Sequence, residues 1–138
     1  MKKRRPPLLL GLDNPHSKDP RDALLHRPRG STGHRLFELS RMSLEDYYSK
    51  FDRANVCDLM TTRDDAIIRG RTVLVLGTET WKRLELGTPP VLFKNKHDFW
   101  IDSTFILLPH PSGLNRFYND PANCRKVTRV LQKEAKRT

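Results

Sequence analysis

A chain of 138 residues with 36% hydrophobic and 30% charged residues holds enough apolar material for one core and too little for two. Its apolar residues gather in runs such as Leu8–Leu10, Val73–Leu76 and Phe105–Leu108, which excludes a disordered chain, and no run approaches the ~18 residues that span a bilayer. The net charge is +10, and the two cysteines, Cys57 and Cys124, exclude an all-cysteine zinc or iron–sulfur site and argue against a disulfide framework.

These bounds predict a single domain over residues 1–138, with residues 1–6 as a basic tail. Met1–Pro7 begins like a signal peptide, but the apolar stretch after it ends within about five residues, too short for a leader core. The expectation is a soluble, cytoplasmic, monomeric protein with no cofactor and no metal. The charge is uneven. Residues 1–35 carry nine Lys/Arg against three acids, residues 36–110 ten against eleven, and residues 111–138 seven against two. A fold that joins the two basic ends makes a face suited to a polyphosphate. The alternative is a pair of solvated tails.

In chain order, Leu8–Leu12 reads as a buried strand of the parallel-sheet type. Asp13-Asn14-Pro15-His16-Ser17 follows at its carboxyl end, where open α/β sheets bind ligands. Residues 18–35 read as a long loop, rich in Pro, Gly and charge, and Leu36–Leu39 as a short helical piece. Ser43 suits a helix N-cap, with Glu45 and Asp46 in the first turn and Tyr47, Tyr48 and Phe51 further along. Arg71–Gly77 is the clearest strand, and Thr78–Leu84 reads as a capped helix broken by Pro89-Pro90. Val91–Phe93 is expected to be a short strand with a turn at Asn95, and Phe99–Ile101 to pair at an edge. Ser103–Leu108 is a strand running into Pro109-His110-Pro111-Ser112-Gly113. Asp120 and Pro121 open a final helix with Cys124, Val127, Leu131 and Ala135 on one face. Trp81 and Trp100 are assigned to the core. The element order predicts a three-layer α/β/α sandwich around a mostly parallel sheet of about four strands.

Two strand ends carry polar clusters flanked by proline: Asp13-Asn14-Pro15-His16 and His110-Pro111-Ser112-Gly113-Leu114-Asn115-Arg116. Proline restricts the backbone, which lowers the entropy of holding a side chain in place. In a parallel sheet both clusters leave the same edge.

On these segments the chain resembles the uracil-DNA glycosylase superfamily. Its branches carry a first motif G-Q-D-P-Y, G-I-N-P or G-E-A-P-G after strand one. A second motif, H-P-S-P followed by Leu or Arg, comes after the last strand. The matches are Gly11-Leu12-Asp13-Asn14-Pro15 and His110-Pro111-Ser112-Gly113-Leu114-Asn115. Val73–Gly77 looks like the central strand and turn, and Gly33-His34-Arg35-Leu36 is similar to a G-x-R-L stretch. Gly113 stands where Pro is common, and the iron–sulfur cysteines of some branches have no counterpart.

The resemblance implies a DNA glycosylase that extrudes a deaminated or modified base, uracil first among them, and hydrolyses its N-glycosidic bond. DNA, single- or double-stranded, is the implied partner. His110 is the implied donor to the departing base. Asn14 or Asp13 is the implied water-positioning residue: counting from Pro15 selects Asn14, counting from Gly11 selects Asp13, and Asn14 is modestly favoured. His16 and Ser17 line the implied pocket. Leu114 is the implied wedge, while Ser112, Gly113, Asn115 and Arg116 meet DNA. Phe37 stacks on the base or belongs to the core, and His110 and Asp13 have plainer readings as a strand-end cap and a turn residue. A rival reading is a DNA-binding protein of the same fold without catalysis. A Ser112–His110 hydrolase is disfavoured, because the two are two residues apart and no G-x-S-x-G elbow is present.

Overall fold

The computed structural model describes residues 5–12, 23–27, 29, 31–59, 65–87, 92–99, 101–111 and 115–136. Strand β1 (Leu8–Gly11) is followed by α1 (Thr32–Ser40), α2 (Leu44–Lys50) and β2 (Asp52–Asn55). After a 3-10 turn at Val56–Asp58 come α3 (Asp65–Ile68), β3 (Thr72–Leu76) and α4 (Thr78–Arg83). Then β4 (Asn95–Asp98) and β5 (Ser103–Leu108) lead through a 3-10 turn at Arg116–Asn119 into α5 (Pro121–Lys136).

The strands form one sheet in the order β2-β1-β3-β5-β4. β2, β1, β3 and β5 are parallel, and β4 is an antiparallel edge on β5. Successive side chains on a strand alternate between faces, and here both faces are apolar. Leu8, Leu10, Val73, Val75, Phe105 and Leu107 meet Ile68 of α3 and Trp81 of α4 on one side. Leu9, Leu74, Leu76, Ile106 and Leu108 meet Leu36 of α1, Tyr47 of α2, and Val127, Leu131 and Ala135 of α5 on the other. Helices therefore cover both faces, as the continuous apolar runs of β1, β3 and β5 require. Burying each such Leu or Val side chain stabilises the fold by about 1.5–3 kcal/mol.

The amino edge of the sheet is tied by Arg71, which is 3% exposed. Its Nε donates to the Pro6 carbonyl at 2.9 Å, its Nη1 donates to the Ile67 carbonyl at 3.1 Å, and its Nη2 pairs with Asp52. One guanidinium thus joins the entries of β1, β2 and β3. Burial pulls its pKa below the ordinary arginine value, and the Asp52 carboxylate opposes that shift.

Several elements follow the sequence. Ser43 caps α2, its hydroxyl accepting from the Asp46 N–H at 3.1 Å. Asp120 caps α5, its carboxylate accepting from the Ala122 N–H at 2.9 Å, and Trp81 is fully buried. Others need correction. The sheet has five strands, because Asp52–Asn55 and Asn95–Asp98 pair where apolar patterning gives no sign of them. Asp52-Arg53-Ala54-Asn55 and Asn95-Lys96-His97-Asp98 occupy the two sheet edges, and an edge strand can be polar because water solvates part of it. Leu92 and Phe93 form a turn rather than a strand, and Phe93 has a positive φ of 69°. The edge pairing expected at Phe99–Ile101 falls on Asn95–Asp98 instead. Helix α1 begins at Thr32, inside the expected loop, because Ser31 accepts from the His34 N–H and fixes the first turn. Phe51 lies just past α2 in extended backbone, and α4 has Gly77 at its N-cap, which offers no side chain. Pro89, Pro90, Val91 and Trp100 lie outside the described residues. No helix among the described residues is long and apolar enough to cross a membrane.

The seat of α1 on the Leu24–Leu25 backbone is tight enough to test. A Cβ added to Gly33 would lie 2.1 Å from the Leu25 carbonyl oxygen and 2.4 Å from the Leu24 carbonyl carbon. Both are backbone atoms and cannot turn aside as a side chain would. Gly33→Ala is expected to cost about 2–3 kcal/mol of stability, the upper range of overpacking. Denaturant unfolding checks this. A loss below about 0.5 kcal/mol would show that α1 is free to move off the loop.

Candidate functional site

Parallel strands put their carboxyl ends on one edge. β1 and β5 both pair with β3, so Leu12 and Pro109 leave the sheet on the same side, one strand apart. The chain passes from β1 outward to β2, then returns to β3 and continues outward to β5. The order therefore reverses between β1 and β3. Loops leaving those two strands diverge, and this is the crevice in which open α/β sheets hold ligands.

His110 stands beside that crevice. Gly77, directly after β3, has a φ of 91°, and a Cβ built there would come within 3.0 Å of the His110 Cβ. Only glycine combines that backbone with that approach. The imidazole is therefore drawn over the end of the central strand. The segment carrying it is fixed at three consecutive carbonyls. Gly77 N–H donates to the Leu108 carbonyl at 2.8 Å, the Tyr118 hydroxyl donates to the Pro109 carbonyl, and Asn115 Nδ2 donates to the His110 carbonyl at 2.9 Å. Asn115 Oδ1 also accepts from the Phe117 N–H at 3.0 Å, which starts the 3-10 turn. Burial holds the His110 pKa below the ordinary histidine value, so the ring is neutral at pH 7. A neutral imidazole still carries one N–H donor.

The remaining sequence candidates fall into three groups. Asp13, Asn14, His16, Ser17, Ser112, Gly113 and Leu114 lie outside the described residues. Asn115 spends both ends of its carboxamide on the backbone of residues 110–117, so it shapes the segment that holds His110. Arg116 is exposed. Phe37 is half-buried on α1, with ring centroids of His26 at 5.9 Å and Tyr47 at 5.4 Å in edge-on contact. That packing ties it to the α1–α2 side of the core. Among the described residues, no group of three His, Cys, Asp or Glu gathers to hold a metal.

Two features of this edge escaped the sequence reading. One is the approach of Gly77 to His110. A Gly after an apolar strand is a visible signal, but its partner lies 33 positions away in sequence. The other is Asn55, which ends β2 at 2% exposure with its Oδ1 unpaired, 2.8 Å from where a Gly11 Cβ would sit. A buried carbonyl without a donor costs about 1–3 kcal/mol. Nothing in the string Asp-Arg-Ala-Asn announces it.

Two outcomes check this geometry. The His110 ring, followed by NMR, is expected to titrate below the ordinary value. The unfolded chain then binds a proton as pH falls through about 6.5 while the folded chain does not, so folding weakens from there down to the folded pKa. Compared with His110→Gln, the native chain should lose stability across that window and match it above. A His110 that titrates above 6.5 would contradict the buried placement. Asn115→Ala should cost about 1–2 kcal/mol, since it leaves a carbonyl and an N–H unpaired. It should also raise the His110 titration midpoint as the ring gains solvent. No family model, no curated protein and no solved structure matches the chain.

Proposed function

We propose that the chain is a monofunctional DNA glycosylase of the uracil-DNA glycosylase superfamily that flips a deaminated or modified base, uracil foremost, out of DNA and hydrolyses its N-glycosidic bond. One observation carries the reading. The carboxyl ends of β1 and β5 share an edge on either side of β3, with a half-buried His110 held against Gly77 at the end of β3. The two motif segments begin from those two strand ends. Fold alone would be analogy, and the weight rests on the residues.

In this reading the bond between the sugar C1′ and the base nitrogen breaks, and its electron pair leaves with the base. His110, neutral and desolvated, donates an N–H to the base oxygen that gains the negative charge. Such a donor acts more strongly in a dry site than in water and is worth about 3 kcal/mol. Asn14 or Asp13, two or three residues beyond Gly11, orients the attacking water at C1′. A carboxylate at Asp13 also favours the cationic sugar. Water gives its oxygen to C1′, and its proton is released to neutralise the departing base. His16 and Ser17 line the pocket, Leu114 fills the gap in the stack, and Ser112, Gly113 and Arg116 meet phosphate. The tight backbone at residues 108–110 matters here, because a donor is effective only if it is already aimed before charge develops.

The test uses labelled oligonucleotides, each with one uracil, hypoxanthine or modified cytosine. Alkali after incubation should break one of them at that position. His110→Gln should slow the break by about 10²–10³-fold with DNA affinity retained, the usual loss when one charge-stabilising donor is removed. Tight binding with no break at any base would favour the non-catalytic DNA-binding reading. Cleavage unaffected by His110→Gln would remove His110 from the chemistry.

A further inference from the structure

Helices α1 and α5 leave an open groove of about 430 Å³ between them, lined by Arg35, Glu38, Arg41, Cys124, Arg125 and Thr128 among others. Three guanidinium groups and one carboxylate line it. Glu38 is already engaged by His34, 3.3 Å away. Arg35 is half-buried, and its Nε is shielded from water without a hydrogen-bond acceptor. A half-buried guanidinium is stabilised by an anionic oxygen beside it. Arg41 and Arg125 are exposed at the rim. The groove also takes in Pro121, in the first turn of the 16-residue α5, whose first N–H groups are taken by Asp120.

The groove connects with the candidate site. Tyr118 forms part of its wall, and the Tyr118 hydroxyl donates to the Pro109 carbonyl, next to His110. In the glycosylase reading, a strand whose extruded nucleotide reaches His110 runs past this wall.

We propose that the α1–α5 groove binds the phosphodiester backbone of the DNA strand that carries the target base. Arg35 is the phosphate donor on the groove wall, and Arg41 and Arg125 are the rim contacts. This rests on the glycosylase reading for the position of the strand, but not for its chemistry. Planar guanidinium forks suit phosphate oxygens, and three in one groove hold about two phosphates.

Binding of a fluorescent uracil-containing oligonucleotide, measured by anisotropy across a salt series, tests it. The comparison is native protein, Arg41→Asn/Arg125→Gln, and Lys82→Gln/Arg83→Gln as an equal charge change on the opposite helical layer. Asn at position 41 suits the left-handed backbone there, where φ is 54°. The groove variant should flatten the slope of log K against log salt by about one to two, and the control by well under one. Equal slopes for the two variants would overturn the proposal, as would native protein that binds no DNA. A second measurement does not depend on a stable variant. In a Cys57→Ser background, the oligonucleotide should slow maleimide labelling of Cys124 severalfold. Inorganic pyrophosphate at matched phosphate concentration should not. Unslowed labelling, or equal protection by pyrophosphate, would mean the groove holds no strand. Loss of cleavage activity with an intact groove effect would leave this proposal standing and remove the enzymatic one. Cleavage without a groove effect would do the reverse.

Discussion

Burial of strand β3 between two apolar layers is the constraint on which the architecture depends. Val73 and Val75 face one layer, and Leu74 and Leu76 face the other, all fully buried. A strand buried on both faces needs hydrogen-bonded neighbours on both sides, because an unpaired backbone group away from water is costly. Here β1 and β5 supply them in parallel register, Leu8 opposite Val73 and Val73 opposite Phe105. That register sends the ends of β1 and β5 out on one edge. The catalytic reading uses a by-product of core packing: the segments after β1 and β5 leave from one edge because three apolar strands must align.

The two edges of the sheet serve different ends. At the amino edge, Arg71 closes the entries of three strands with carbonyls and one carboxylate, so the charge is spent on structure. At the carboxyl edge, the hydrogen bonds go to the backbone of residues 108–110, and the His110 ring is left for other work. Tyr118 belongs to both the segment and the core, and burial pushes its hydroxyl pKa well above the ordinary tyrosine value, so it remains a donor throughout the physiological range. Arg5 donates to the Arg69 carbonyl near the amino edge, whereas Arg35 and Arg125 line the α1–α5 groove.

Much of the fold was legible because its core strands announce themselves. Leu8–Leu10, Val73–Leu76 and Phe105–Leu108 are apolar without interruption, which only a strand covered on both faces tolerates. Ser43 and Asp120 were readable as caps because capping is local chemistry. The edge strands were not, since Asp52–Asn55 and Asn95–Asp98 are held by pairing with a neighbour rather than by their own pattern. The same divide runs through the site. His110 and Asn115 could be picked from a local motif, although the role of Asn115 in holding the His110 carbonyl could not. Asn55, Gly77 and the Arg35–Arg125 groove arise from tertiary approach between distant segments. No single stretch of sequence encodes them.

The central claim is that the segment after β1 and the segment after β5 face one nucleotide. Two inter-strand spacings separate those strands, about 10 Å. Asn14→Cys and His110→Cys, placed together in a Cys57→Ser/Cys124→Ser background, should be joined within one chain by a bis-maleimide of about that reach, and a uracil-containing oligonucleotide should block the joining. If the two positions fail to link while each still reacts singly, or link equally well with DNA present, the shared pocket does not exist.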